Sequence, residues 1–308
     1  MNNKICIVGV LDKKGSTQIP MAKSLINLSL DIIPINYRSL ISKYGHEFYY
    51  EYLINTIKEQ NPYLTIFCKH NNTDPRIMSE CNKYTKTFLF FMDPLETLLN
   101  CSEVIEQMNL ANFSSYTDPD IKKYVNNCHH LIQGVDTDIF KPIDIFEEDK
   151  VDISFIGTKT KERDEYIDFL RLNKFDVKTY GSGYSDNEVV EEDFAKICSS
   201  STYMLSLNTF NNKKDYFSNR LVRYLACGTC TFHLDTTNTL DKYFKDCEEI
   251  VYFSSKEDLV EKLNSITEEE RIQIGINGRN RVLKEYTWDI KMKELLDIVS
   301  NYNENTLQ

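Results

Sequence analysis

The chain opens with KICIVGV (4–10), a short unbroken apolar run that marks a strand buried on both faces of a parallel sheet. Polar DKKGST (12–17) follows, then a helical stretch from Gln18 to Leu30 and a second strand, DIIPINY. The alternation continues: a helix over 46–59, the strand YLTIFCKH (63–70), the strand KTFLFFMD (86–93), a helix near 95–108, and ANFSSYT (111–117). Gly, Pro and acidic residues interrupt this rhythm over 131–152, and a second series then begins. VDISFIGT (151–158) is a strand and KERDEYIDFLRLN an amphipathic helix. FDVKTYG, TYMLSLNT (202–209), CTFHLD and EIVYFSS are further strands with helical segments between them. The tail from Glu268 to Tyr302 reads as nearly continuous helix. Strands alternating with helices predict α/β architecture, here two Rossmann-like domains whose ligands sit at the C-terminal ends of the strands. The expected divisions are an N-terminal domain over 1–135, a linker over 136–150, a second domain over 151–285, and a closing helix over 286–308.

Composition narrows the function classes. The 308 residues carry a formal charge of −11, which disfavours general polyanion binding and so general nucleic-acid binding. Nine cysteines at unpatterned positions, with no signal-peptide pattern at the start, predict reduced thiols and a cytoplasmic location. No apolar run approaches the ~18 residues of a membrane span. Neither domain's first strand leads into a G-x-G-x-x-G fingerprint, which argues against a dinucleotide-dependent oxidoreductase. Gly15 and Ser16 read as a structural turn. Cys227 and Cys230 form a C-x-x-C with no second ligand pair and read as buried thiols. No second cysteine pair or histidine cluster completes a metal-ligand pattern, so no metal and no cofactor are expected.

Residues 217–230, FSNRLVRYLACGTC, carry the sharpest local signal. Ser218 and Asn219 are helix-capping types, Leu221, Val222 and Leu225 recur at helical spacing, and Gly228 ends the helix. Arg220 in the first turn joins a cation to free backbone N–H groups, a ready site for phosphate. Gly157, Lys159 and Arg163 follow the first strand of the second domain, where a basic loop faces the ligand site. Asp93 ends an apolar strand before Pro94. It reads both as an N-cap for a helix with Pro94 at its first position and as a carboxylate at the ligand edge.

Several stretches resemble known glycosyltransferases. QGVDTDIFKP (133–142) resembles the segment that ends the N-terminal domain in group-one GT-B enzymes. VDISFIGTKTKERDEYIDFL (151–170), SNRLVRYLACGTCTF (218–232), EEIVYFSSKEDLVEKL (248–263) and RIQIGINGRNRVLKEYTW (271–288) resemble the donor domain of the CgeB-like, spore-maturation branch. The resemblance implies two Rossmann-like domains facing across a cleft. It implies metal-independent, retaining transfer of a hexosyl group from a nucleotide-sugar donor to a glycan or other hydroxyl acceptor. Arg220 then meets the donor diphosphate, helped by Gly157, Lys159, Arg163 and Asn219. Asp215 and Arg223 stand where retaining relatives carry two glutamates with seven residues between them. Asp215 keeps a carboxylate toward the sugar, while Arg223 replaces the ribose-holding one, so that either another group holds the ribose or Arg223 meets a phosphate or an acidic acceptor. Asp93 becomes the acceptor-side base. The closing helix with Trp288 either crosses back to the first domain or packs on its own. Two alternatives stay open: an inactive GT-B scaffold that binds a nucleotide or glycan, and a glucosyltransferase acting on modified DNA.

Overall fold

A computed structural model describes residues 3–146, 150–184, 189 and 191–305. Residues 147–149 of the expected linker and 306–308 of the expected closing helix lie outside the described residues. The chain divides into two compact units, one of Met1–Gln133 with Trp288–Gln308, the other of Gly134–Thr287.

The first unit alternates β1 (Lys4–Gly9), α1 (Gln18–Asn27), β2 (Asp31–Asn36), α2 (Tyr37–Tyr44), α3 (His46–Gln60), β3 (Leu64–Cys68) and α4 (Arg76–Cys81). There follow β4 (Lys86–Phe90), α5 (Leu95–Leu99), α6 (Ser102–Leu110), β5 (Phe113–Tyr116) and β6 (Cys128–His130). The strands form one parallel sheet in the order β2-β1-β3-β4-β5-β6. Pro34 is tolerated because its strand is at the edge. Alternation along β1 sends Cys6 and Val8 to one core, with Tyr49 and Leu53 of α3. Ile5 and Ile7 enter the opposite core, with Met21 and Leu25 of α1. Trp288, Met292, Leu295 and Val299 of the closing helix also bury in that second layer. Ser24 Oγ donates to Asp289 Oδ1 at 2.6 Å, tying that helix to α1.

The second unit contains β7 (Val151–Ile156), α7 (Lys161–Leu172), β8 (Val177–Tyr180), α8 (Glu191–Ser200), β9 (Ser201–Ser206) and α9 (Asn219–Ala226). It continues with β10 (Thr231–Leu234), β11 (Val251–Phe253), α10 (Lys256–Ser265) and α11 (Glu268–Glu285), and α12 (Trp288–Asn305) closes the chain. Its parallel sheet has the order β11-β10-β9-β7-β8. Two glycines inside α11 let it approach the sheet's loops closely. A Cβ on Gly275 would stand 2.2 Å from the Gly228 carbonyl oxygen. The continuous C-terminal helix expected from sequence is interrupted at Tyr286–Thr287. There the Val135 N–H donates to the Tyr286 carbonyl at 2.9 Å, and Thr287 bridges to Val135. A non-local strand contact takes those two residues out of the helix.

A buried polar knot follows β3. His70, fully buried, lies 2.7 Å from Tyr49 Oη, 2.6 Å from Gln107 Oε1 and 2.9 Å from Thr73 Oγ1. Burial pushes its pKa down to about 4, below the ordinary 6.5, so the folded imidazole stays neutral. Below pH 6.5 the unfolded chain binds a proton there that the folded chain does not. Stability is therefore complete above that pH and falls as pH drops toward 4, by about 3 kcal/mol for this group. His233, also buried, has its pKa lowered to about 3 and acts in the same direction. Urea melts between pH 7 and 4 should show this acid limb, and His70→Gln should flatten it. An unchanged limb in that variant would assign the pH dependence elsewhere.

Candidate functional site

In the second sheet the chain leaves β7 for β8 on one side and later returns to β9 on the other. Such a reversal marks the place, outside the C-terminal ends of β7 and β9, where open α/β sheets take their ligands. Two arginines from different helices converge on it. Arg163, in the first turn of α7, donates from Nη1 to the Thr158 carbonyl at 2.6 Å. Its Nη2 donates to the Leu207 carbonyl and to Thr209 Oγ1, both at 3.1 Å. Arg220, in the first turn of α9, donates from Nη1 to the Ile156 carbonyl at 3.0 Å and from Nη2 to the Leu207 carbonyl. The Phe155 ring lies under both guanidiniums, 5.4 Å from that of Arg163 and 5.1 Å from that of Arg220. Tyr224 Oη accepts from the Ile156 N–H at 2.8 Å and donates to the Ile156 carbonyl, so α9 is fastened to the end of β7.

The electrostatics are unusual for a structural cluster. Arg163 is only 3% exposed, and burial first, then the charge of Arg220, lowers its pKa to about 10. It remains a cation at neutral pH. Among the described residues neither arginine has a carboxylate within ion-pair distance. Arg163 Nε, Arg220 Nε, Ser218 Oγ and His233 Nε2 are all buried and, among the described residues, have no hydrogen-bond partner. Buried polar atoms of that kind ordinarily find partners, because leaving one unmade costs about 1–3 kcal/mol. Two adjacent cations with orphaned donors beside a helix start are a combination whose chemistry suits an anion.

Gly157 belongs to the same construction. A Cβ there would fall 2.3 Å from Arg220 Nη1 and 2.9 Å from Phe155 Cζ, so the missing side chain is the space the guanidinium fills. Lys159 lies two residues further on in the loop. Its Nζ is 3.7 Å from Asp164 Oδ2 and over the Tyr184 ring, and its side chain is half exposed. Asn219 begins α9, after Ser218, whose N–H donates to Asn208 Oδ1 at 3.1 Å.

Arg223 is elsewhere. Its guanidinium stacks on Phe140, 4.9 Å from the ring centre, and on Phe194 at 6.0 Å. Burial lowers its pKa to about 10. Phe140 comes from the 133–142 segment and packs edge-on against Phe194. Asp215 is on the loop before α9 with a left-handed backbone (φ +59°), and its carboxylate is 2.8 Å from Lys242 Nζ.

In the first unit Asp93 pairs with Lys69 Nζ at 2.6 Å. Its expected role as a helix cap is corrected. Pro94 takes the capping position of α5, and the Leu95 N–H donates to Asp118 Oδ2 at 3.0 Å. An extended Pro94 moves the helix start one residue on and leaves Asp93 turned to Lys69. Cys227 and Cys230 are both buried, and burial pushes the Cys230 thiol up to about 12. Among the described residues no cluster of three or more His, Cys, Asp or Glu side chains is disposed to hold a metal ion. Among them, too, no helix is long and apolar enough to cross a membrane.

Phe155, Tyr224, Asn208 and Thr209 are site residues that sequence reasoning did not single out. Phe155 was within reach, since it is the aromatic position of the quoted strand VDISFIGT, immediately before Ile156 and Gly157. Tyr224 lies one turn beyond Arg220 on the same helix, and Asn208 and Thr209 meet the site only because β9 returns beside β7.

Comparison with known proteins gives the fold a context. Residues 163–297 match the model of a family described as glycosyl transferase-like. No functionally curated protein matches the chain in sequence. Among solved structures, Anabaena HepE in complex with UDP-glucose superposes with a TM-score of 0.67 at 10% identity, covering 97% of this chain and 99% of that one. A sucrose-phosphate synthase from Thermosynechococcus elongatus gives 0.65 at 9% identity, covering 98% and 100%. A glycosyltransferase from Rickettsia africae gives 0.65 at 14% identity, covering 99% of each chain. The chain thus has the fold of the GT-B glycosyltransferases, and its residues 163–297 match the glycosyl transferase-like family.

Proposed function

We propose that this protein moves a sugar from a nucleotide-sugar donor to an acceptor hydroxyl. The observation that carries this reading is the Arg163–Arg220 pair at the β7/β9 switch point, the first buried and the second partly buried, with an orphaned Nε on each and, among the described residues, no carboxylate partner. As the bond from the sugar's anomeric carbon to the diphosphate oxygen breaks, negative charge grows on the leaving nucleoside diphosphate. Fixed cations are most effective there. Arg220 has that role, with Arg163 beside it and Lys159 and Asn219 completing the socket with the N–H groups that begin α9. Asp215 faces the donor sugar, and Asp93, held by Lys69, takes the acceptor proton. The presence of UDP-glucose in the Anabaena relative supports a nucleoside-diphosphate sugar as donor. Because two guanidiniums supply the positive charge, transfer proceeds without a catalytic divalent ion.

A thermal-shift panel of nucleotide-sugars with free UDP, GDP, TDP and ADP tests this directly. A ligand at ~100 times its dissociation constant adds about 2.7 kcal/mol of stability. One donor and its nucleotide are expected to shift the melt, undiminished by EDTA. A folded protein that shifts with none would refute a donor site, and a shift abolished by EDTA would refute metal independence. A second reading, a scaffold that binds a donor without transferring its sugar, is favoured by Arg223 lying against two rings where a carboxylate would hold the ribose. A donor shift with neither transfer nor hydrolysis would select it.

A further inference from the structure

An aromatic ladder is exposed on the first unit. Phe48 and Tyr52, four residues apart on α3, share one face of that helix, and Tyr44, at the end of α2, places its ring beside Phe48. They are 50%, 42% and 43% exposed. Tyr44 and Phe48 have ring centres 4.6 Å apart, and Phe48 and Tyr52 are stacked at 6.1 Å with 16° between planes. Beside the ladder runs an open groove of about 530 Å³ between α3 and α4. Glu51 and Asn55 line it from α3, three and seven residues on from Phe48 and therefore next to the rings. Asp74 and Glu80 line the opposite side.

We propose that this face is a glycan-binding site, taking an uncharged oligosaccharide chain along the ladder and into the groove. Sugar rings present faces of weakly positive C–H groups that suit the negative face of an aromatic ring. Their hydroxyls suit carboxylates and amides that both accept and direct hydrogen bonds. The ladder supplies the first and the groove wall the second. The groove's charged side chains nearly cancel, with Glu51, Asp74 and Glu80 against Lys58 and Arg76, so no field selects a polyanion or an anionic membrane. A second copy of the chain fits less well. Three rings under or near half exposure offer about 300 Å², well below the roughly 800 Å² per partner of a stable interface. The site depends on the transferase reading in one respect only, that the glycan it holds is the acceptor or the chain bearing it.

The test is affinity electrophoresis of the whole protein through gels containing amylose, β-glucan or galactomannan, with the double variant Phe48→Ala/Tyr52→Ala alongside. Both side chains are half exposed, and an unchanged melting temperature checks that the variant is folded. One polysaccharide is expected to retard the wild type, with affinity about tenfold or more weaker in the variant, as loss of two ring contacts implies. Equal mobility in every gel, or retardation unchanged in the variant, overturns the proposal. A wild-type dimer that becomes monomeric in the variant would identify a second copy as the occupant and also overturn it. Nucleotide-sugar shifts measured on the same preparations keep the two readings apart. Loss of donor binding in the wild type would count against the transferase and not against the glycan site.

Discussion

Arg220→Ala is expected to lower turnover about 10²–10³-fold, the effect of removing one preorganised group from a developing anion. The side chain does two things at once. Its Nη atoms hold the carbonyls of Ile156 and Leu207, at the ends of adjacent strands, and its charge stands beside that of Arg163. Alanine removes the cation and leaves two carbonyls with one donor fewer. Leu207 still receives Arg163, and Ile156 still receives Tyr224, so the fold should persist with only a modest loss of stability. Arg220→Lys restores the charge but cannot span two carbonyls from a planar fork, and should recover only part of the activity. Donor affinity from thermal shift and turnover from nucleoside-diphosphate release are the two readouts. Normal values of both in Arg220→Ala would remove the site assignment.

Gly157→Ala should weaken donor binding about 10–100-fold, since a misplacement of the order of an ångström in a positioned group costs that much. The new methyl would stand 2.3 Å from Arg220 Nη1, far inside contact distance, and the guanidinium is the part free to move. Because the clash falls on the end of a flexible side chain, stability should fall by no more than about 1–3 kcal/mol, the usual range for overpacking. The decisive comparison is non-additivity. In an Arg220→Ala background the same methyl meets no guanidinium, and the glycine substitution should add little. If the two losses simply add, Gly157 acts through the backbone or Phe155 and not through Arg220.

These expectations show how far local signals reach. Helix α9 was legible because its start, its apolar spacing and its terminal glycine all lie within a dozen residues. The β7 loop was legible for the same reason, as a strand that ends in glycine before a basic turn. Asp93 shows the limit. A cap depends on which backbone N–H a carboxylate reaches, and Asp118 from a later strand's loop reached it first. His70 shows it again: a histidine just past a strand end is locally indistinguishable from a ligand-site residue. Tyr49 and Gln107, from two distant helices, make it a core group, with Thr73 three residues on.

The alternation of short apolar strands with amphipathic helices determined the α/β class and the two parallel sheets, since period and burial are written locally along the chain. The sequence alone also brought forward Gly157, Arg163, Asn219 and Arg220 as residues of strand and helix ends. Tertiary structure decided which of them meet. Strand order placed β7 beside β9, and only that adjacency set Arg163 and Arg220 together on Phe155. Arg223, three residues from Arg220, went instead to Phe140 and Phe194, because successive turns of a helix face different neighbours. Charge and residue type are properties of the chain, whereas convergence and the absence of a carboxylate partner depend on what the fold brings near.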